Sequence, residues 1–151
     1  MNDANAIVIR VNHRFDAGPE RGFDAWLDPA TAGRWLFATR GGEMQRVEID
    51  ARVGGRYAIV ERREAGDAGH FGEYLEIDRP RRLVFTLAVE PAAQSGDRIT
   101  IEIRPVGKGC ELNLTHAMAA EYAQYAERTE SGWNDVLASL ARQLATANDA
   151  H

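Results

Sequence analysis

Of the four histidines in this chain, His13 and His116 stand at the ends of stretches whose alternation gives each a definite side. His116 follows Leu112 and Leu114 on one face of an alternating run, and His13 follows Ile7, Ile9 and Val11 on another. An inward histidine at a strand end offers a ligand a polar handle, or a general base that titrates near neutrality. The plainer reading is a ring satisfied by nearby backbone or water, as buried polar groups usually are. A metal site built from His13, His70 and His116 is disfavoured, because they lie on separate strands and no His-x-x-x-His pairing is present. Cys110 is the only cysteine, which rules out an internal disulfide and a thiolate cluster for zinc. There is no glycine-rich phosphate cradle followed by Lys-Ser or Lys-Thr, and no Gly-x-Ser-x-Gly elbow. Glu73 and Glu76, offset by three in a strand, point to opposite faces and make no acid–base pair. No catalytic residue, metal or cofactor is therefore assigned, and any catalysis must come from isolated pocket groups.

The element that positions these groups runs from Glu121 to Ala147. Tyr122, Tyr125, Thr129, Trp133, Val136, Leu137, Leu140 and Leu144 recur on one helical face, while Gln124, Glu127, Arg128, Asp135, Arg142 and Gln143 lie opposite. Such a stripe must lie against something other than water. Upstream, Ile7 to Arg14 alternates as a strand, Pro19 opens a short helix to Leu27, and Asp28-Pro29 caps a second one to about Trp35. Six more strands follow: Met44 to Asp50, Arg56 to Arg62, Phe71 to Ile77, Arg82 to Val89, Arg98 to Arg104 and Cys110 to His116. Turn residues separate them at Gly54-Gly55, Gly66-Asp67, Asp78 to Pro80, Gln94 to Asp97 and Gly107 to Gly109. The expectation is an α+β domain, a curved antiparallel sheet of about seven strands wrapped on one long C-terminal helix.

Between sheet and helix the sequence puts Trp35, Phe37, Tyr57, Phe85, His116, Tyr125, Thr129, Trp133 and Leu137, the residues expected to line a ligand pocket. Each large aromatic ring also has a sufficient reason to be there as core, since burial contributes on the order of 1.5–3 kcal/mol. What favours a pocket is the polar company of Tyr57, Tyr125, Thr129 and His116 inside an apolar lining. Gly132, a mid-helix glycine beside Trp133, marks either a close approach of the sheet or space that is being left, with close packing the favoured expectation.

The whole chain, 151 residues with 44% hydrophobic content, suits a single domain. Its net charge of −5, with basic residues scattered among acidic ones, argues against nucleic acid as a partner. No stretch has the ~20 apolar residues of a membrane span, and no secretory leader opens the chain, so a soluble cytoplasmic protein is the expectation.

Several short motifs occur in order: Phe23-Asp24-Ala25-Trp26 with Asp28-Pro29, Arg34-Trp35, Val53-Gly54-Gly55-Arg56-Tyr57 and Gly72-Glu73-Tyr74-Leu75-Glu76-Ile77. Arg82-Leu83-Val84-Phe85-Thr86, Leu112-Asn113-Leu114-Thr115-His116 and Gly132-Trp133 complete the series. In this order and spacing the chain, from Ile7 to Leu144, resembles the bacterial stand-alone relatives of the activator of heat-shock protein 90 ATPase. These belong to the helix-grip superfamily of START domains and the birch pollen allergen. Two positions depart from the pattern: Gly22 stands where an aliphatic residue is usual, and Leu87 where an aromatic is frequent. The resemblance implies an apolar pocket between sheet and helix, which in the superfamily holds lipids, sterols or polyketides. It implies no single activity, because the fold hosts carriers, cyclases, hydrolases and co-chaperone domains alike.

Three functions are thus in play. The first is a binding protein for a hydrophobic small molecule. The second is a polyketide cyclase or hydrolase using pocket His and Tyr groups, and the third a co-chaperone-like interaction module. A chaperone partner is the least expected, since no second domain of the kind carried by the eukaryotic activators precedes this one. A homodimer is compatible with the sequence, although no residue requires it.

Overall fold

The computed structural model describes residues 7–39, 41–89 and 96–149. Seven antiparallel strands form one sheet: β1 (Ile7–Phe15), β2 (Glu43–Ile49), β3 (Arg56–Arg63), β4 (Gly66–Asp78), β5 (Arg82–Leu87), β6 (Asp97–Val106) and β7 (Gly109–Met118). Their order across the sheet is β1-β7-β6-β5-β4-β3-β2, so β2 to β7 form a meander and β1 closes against its last strand. The link from β1 to β2 carries α1 (Pro19–Asp24) and α2 (Pro29–Trp35), and α3 (Ala126–Asp149) ends the chain. The α+β helix-grip architecture expected from the sequence is the one observed.

Strand alternation decides which face is buried. Ile99, Ile101 and Ile103 of β6 stand beside Leu112 and Leu114 of β7, all 0–4% exposed, while Arg98, Glu102 and Arg104 face outward. Leu137, Leu140 and Leu144 of α3 cover this face, so the stripe meets the sheet here as periodicity required. Register shifts in β2, between Met44 and Arg46, and in β4, between Tyr74 and Glu76, add local bends to the sheet.

Element ends differ from expectation for local reasons. α1 stops at Asp24 rather than Leu27, because the Trp26 and Leu27 N–H groups donate to the carbonyls only three residues back, of Phe23 and Asp24, in tighter turns that lead into Asp28, held extended at ψ 113 before its proline. The Asp28 carboxylate instead caps α2, accepting from the Ala30 N–H at 3.2 Å and from the Thr31 hydroxyl at 3.0 Å. β4 begins at Gly66, so the turn centres on Glu64 and Ala65 instead of Gly66-Asp67. The largest difference is at the start of the terminal helix. Ala120–Tyr125 is a 3₁₀ segment, broken at Tyr122 (φ −102, ψ 17), and the α-helix proper starts only at Ala126. Turn residues Gln94 and Ser95 lie outside the described residues.

Gly22 now has a reason. A Cβ there would lie 3.2 Å from Cys110 Sγ on β7, so the glycine lets α1 sit close on the sheet. Gly132 is the reverse and corrects the expectation of close packing: a Cβ there meets nothing within 4 Å.

Candidate ligand-binding cleft

At one end of the sheet, β7 terminates at Met118, β6 starts at Asp97, β5 gives out at Leu87 and β4 contributes His70. The segment leaving α2, Phe37 to Thr39, reaches the same end, and the 3₁₀ segment with the first turns of α3 hangs above it. The helix stripe here overruns the apolar sheet, and an open cleft of about 1650 Å³ results. Its outline continues over the sheet rim to Val8, Thr100 and Thr115, residues of opposite strand alternation, so the part enclosed between helix and sheet is smaller. Tyr122 and Tyr125, 47% and 42% exposed, sit with their ring centroids 6.4 Å apart along the helical side of the cleft, with Thr129 and Gly132 following.

His116 forms part of the floor and is 4% exposed. Its Nδ1 lies 2.8 Å from Trp133 Nε1, and its Nε2 lies 2.9 Å from Asp97 Oδ2. An indole nitrogen can only donate, so Nδ1 must be the bare nitrogen and Nε2–H the donor to Asp97. The ring is thereby fixed in one tautomer, with both nitrogens engaged. In this arrangement it has no lone pair left to take a proton from a substrate. The strands bring the partners together because Asp97 sits two residues before Ile99, the residue opposite His116, on the same face.

A second polar group lies behind the lining residues Thr39 and Arg63. Glu61, 1% exposed, accepts from the Thr39 N–H and hydroxyl, both at 2.8 Å, and from Arg63 Nε at 2.6 Å. Burial pushes its carboxyl up, but the Arg63 and Thr39 hydrogen bonds together outweigh this and hold it below the ordinary range. Arg63 Nη2 also donates to the Phe37 carbonyl at 3.1 Å. Phe37 needs that support: at φ 59 it is the one non-glycine residue with positive φ among the described residues. Its ring stacks on His70 at 3.9 Å, with an interplanar angle of 3°. Burial first, and the Arg63 guanidinium second, pull His70 down to about 4. The imidazole is neutral at neutral pH, and its Nδ1 is buried with no hydrogen-bond partner.

Phe37, His116, Tyr125, Thr129 and Trp133 all line the cleft. Tyr57 and Phe85 instead lie deeper, around a void of only about 10 Å³ shared with Trp26, Leu36, Phe37, Tyr74 and Leu83. The Tyr57 hydroxyl donates to the Thr86 carbonyl at 2.7 Å, and burial raises its pKa well above the usual phenol value. Trp35 and Leu137 are fully packed in the core, with Trp35 Nε1 donating to the Ala25 carbonyl at 3.1 Å. His13 is remote from the cleft: it stacks on Phe15 at 4.7 Å, and its Nδ1 lies 2.8 Å from the Arg14 carbonyl. Among the described residues no group of three or more His, Cys, Asp or Glu side chains could hold a metal ion.

Sequence reasoning missed Asp97, Glu61, Arg63 and Thr39. Two of them carried a readable signal. Glu61 continues the buried alternation of Tyr57 and Ile59, and Asp97 continues that of Ile99 and Ile101, so each is a carboxylate on an apolar face. Arg63 stands next to Arg62 close to a turn, where a solvated charge is the ordinary expectation, but only Arg62 is exposed.

A family model described as "Activator of Hsp90 ATPase homolog 1-like protein" matches residues 16–145. Among solved structures, a protein of Chromobacterium violaceum is 29% identical, with TM-score 0.75, over 89% of this chain and 94% of that one. A Rhodobacter sphaeroides protein is 25% identical, with TM-score 0.79 and 92% coverage of both chains. An AHSA1-like protein from Aeromonas hydrophila, 21% identical over 94% of both chains with TM-score 0.80, shares the fold. No curated protein matches the sequence. No described helix is long and apolar enough to cross a membrane.

Proposed function

The chain belongs to the Activator of Hsp90 ATPase homolog 1-like family, and from that premise we propose that it is a binding protein for a small hydrophobic molecule held in the open cleft. The observation that carries the reading is the division of the α3 stripe. Trp133, Leu137, Leu140 and Leu144 are buried, whereas the preceding turns hold Tyr122 and Tyr125 about half exposed over the cleft. Exposed aromatic rings beside an unfilled groove are surface that a ligand's apolar body can cover. Gly132 supports the same reading, since a helix-weakening glycine stands where its side chain would project into open space.

The alternative of a cyclase or hydrolase acting through His116 has less support. Trp133 and Asp97 occupy both ring nitrogens, so the histidine fixes cleft geometry instead of exchanging protons. Tyr57, the other candidate acid or base, spends its proton on the Thr86 carbonyl.

The test is titration with the fluorescent amphiphile anilinonaphthalene sulfonate, using the natural chain and Gly132→Trp. The proposal expects one saturable site in the natural chain that is lost in the variant, with unfolding midpoints alike. Binding unchanged in Gly132→Trp, or no saturable site in the natural chain, contradicts it.

A further inference from the structure

Two side-chain polar atoms among the described residues are buried without a hydrogen-bond partner, Trp26 Nε1 and His70 Nδ1. Both belong to residues grouped around Phe37. His70 stacks on the Phe37 ring, and Trp26 shares with Phe37 the lining of the inner void. Phe37 is also the residue that lines both the open cleft and that void, so its side chain is the partition between them. It is held at positive φ, a conformation that bulky residues rarely adopt and that is retained only when surrounding contacts impose it. An orphaned indole N–H, an orphaned imidazole nitrogen and a strained ring between them are each uncommon. Their coincidence at one residue requires a common explanation.

We propose that Phe37 is a gate occupying the inner end of the ligand site, and that the ligand entering in its place is an aromatic molecule with polar edge atoms. One edge carries an acceptor for the Trp26 indole N–H, and the other a hydroxyl for His70 Nδ1. This rests on the cleft being a ligand site and names the class of ligand it takes. The body of the ligand takes the place of the Phe37 ring, which stacks on His70 and lies 5.9 Å from the Trp133 ring between centroids. A hydroxyl suits His70 in either neutral tautomer, since it both donates and accepts. The outer cleft with its tyrosines is then the entrance, and selection occurs past Phe37. An apolar ligand without edge polarity leaves both orphans unsatisfied and gains only contact area.

The three indole N–H groups provide the readout. Trp35 donates to Ala25, Trp133 donates to His116, and Trp26 donates to nothing. The experiment adds naphthalene, a naphthol and a naphthalenediol with one hydroxyl on each ring to ¹⁵N-labelled protein, and follows the indole signals and the affinities. The gate predicts that the hydroxylated probes move the Trp26 indole proton downfield and leave Trp35 in place. It also predicts affinity rising about tenfold from naphthalene to the diol, the factor that about 1.4 kcal/mol represents. Trp26→Phe, which keeps a ring and loses no existing hydrogen bond, should flatten that order, and so should His70→Phe. Phe37→Ala should bind every probe tighter by removing the partition. If naphthol binds but the Trp26 signal stays still and Phe37→Ala changes nothing, the gate is wrong while the cleft remains a binding site. If no probe binds either protein, the gate and the cleft reading both fall.

Discussion

Leu137, Leu140 and Leu144 belong to the same helical stripe as Tyr122 and Tyr125, yet the leucines are 0–5% exposed and the tyrosines 42–47%. The difference lies in what each set faces. The leucines join the core that holds the isoleucines of β6 and the leucines of β7, with the helix lying closest to β1, and the helix is regular. The tyrosines extend past the point where β5 and β7 end and β6 begins, on a 3₁₀ segment with a break at Tyr122. One end of the helix–sheet gap is thus a filled core and the other a cleft with its polar groups fixed in place. Amphipathicity says that a face needs covering, but only the length of the opposing strands says whether the protein itself covers it.

Truncation at the filled end should have the largest effect. Leu140→Ala is expected to cost about 2–5 kcal/mol in denaturant unfolding, while Tyr125→Ala at the open end should stay within about 0.5 kcal/mol. Equal losses would remove the distinction between the two ends. Next comes the polar floor: His116→Phe strands the Trp133 N–H and removes the partner of Asp97, at an expected cost of about 1–3 kcal/mol. A neutral result would mean that these hydrogen bonds do not hold the cleft.

Acid should act mainly through the cleft wall. His70 is held at about 4 in the folded chain against an ordinary 6.5, so between these values the unfolded chain binds more protons. Stability should therefore fall as the pH drops from about 6.5 towards 4, and His70→Phe should lose that part of the slope. Glu61, held below its ordinary 4.5, adds its own loss at lower pH as it protonates. An unchanged slope in His70→Phe would show that the ring is not buried neutral.

The smallest effect has the opposite sign. Gly132→Ala should stabilise the protein by about 0.5–1 kcal/mol, since the added Cβ meets open space on a helix. Gly22→Ala should not gain in this way, because Cys110 Sγ stands 3.2 Å from the new carbon.

These contrasts also mark how far the sequence could be read. Alternation in Ile99 to Ile103 and Leu112 to His116, the Asp28-Pro29 start of α2 and the 3.6-residue stripe are local patterns, and each placed its element. The triad of His116, Asp97 and Trp133 spans separations of 19 and 17 residues and depends on the register of β6 against β7, which no single stretch encodes. The positive φ of Phe37 follows from Arg63 and Glu61, more than twenty residues away, and leaves no mark on the segment itself. Gly132 was visible but ambiguous, because close packing and empty space both call for a missing side chain. The carboxylates of Glu61, which is buried, and Asp97, which is half-buried, were the overlooked clue, since each interrupts an apolar alternation that has no packing reason to include a charge.

The most direct test of the central claim is native mass spectrometry of the protein as purified from cells, set against a denatured aliquot of the same batch. The account predicts an additional small-molecule mass on the native protein that is absent from the denatured aliquot and from Gly132→Trp. A bare protein mass in the native spectrum, together with no stoichiometric uptake of the aromatic probes, would contradict a ligand-binding role for the cleft.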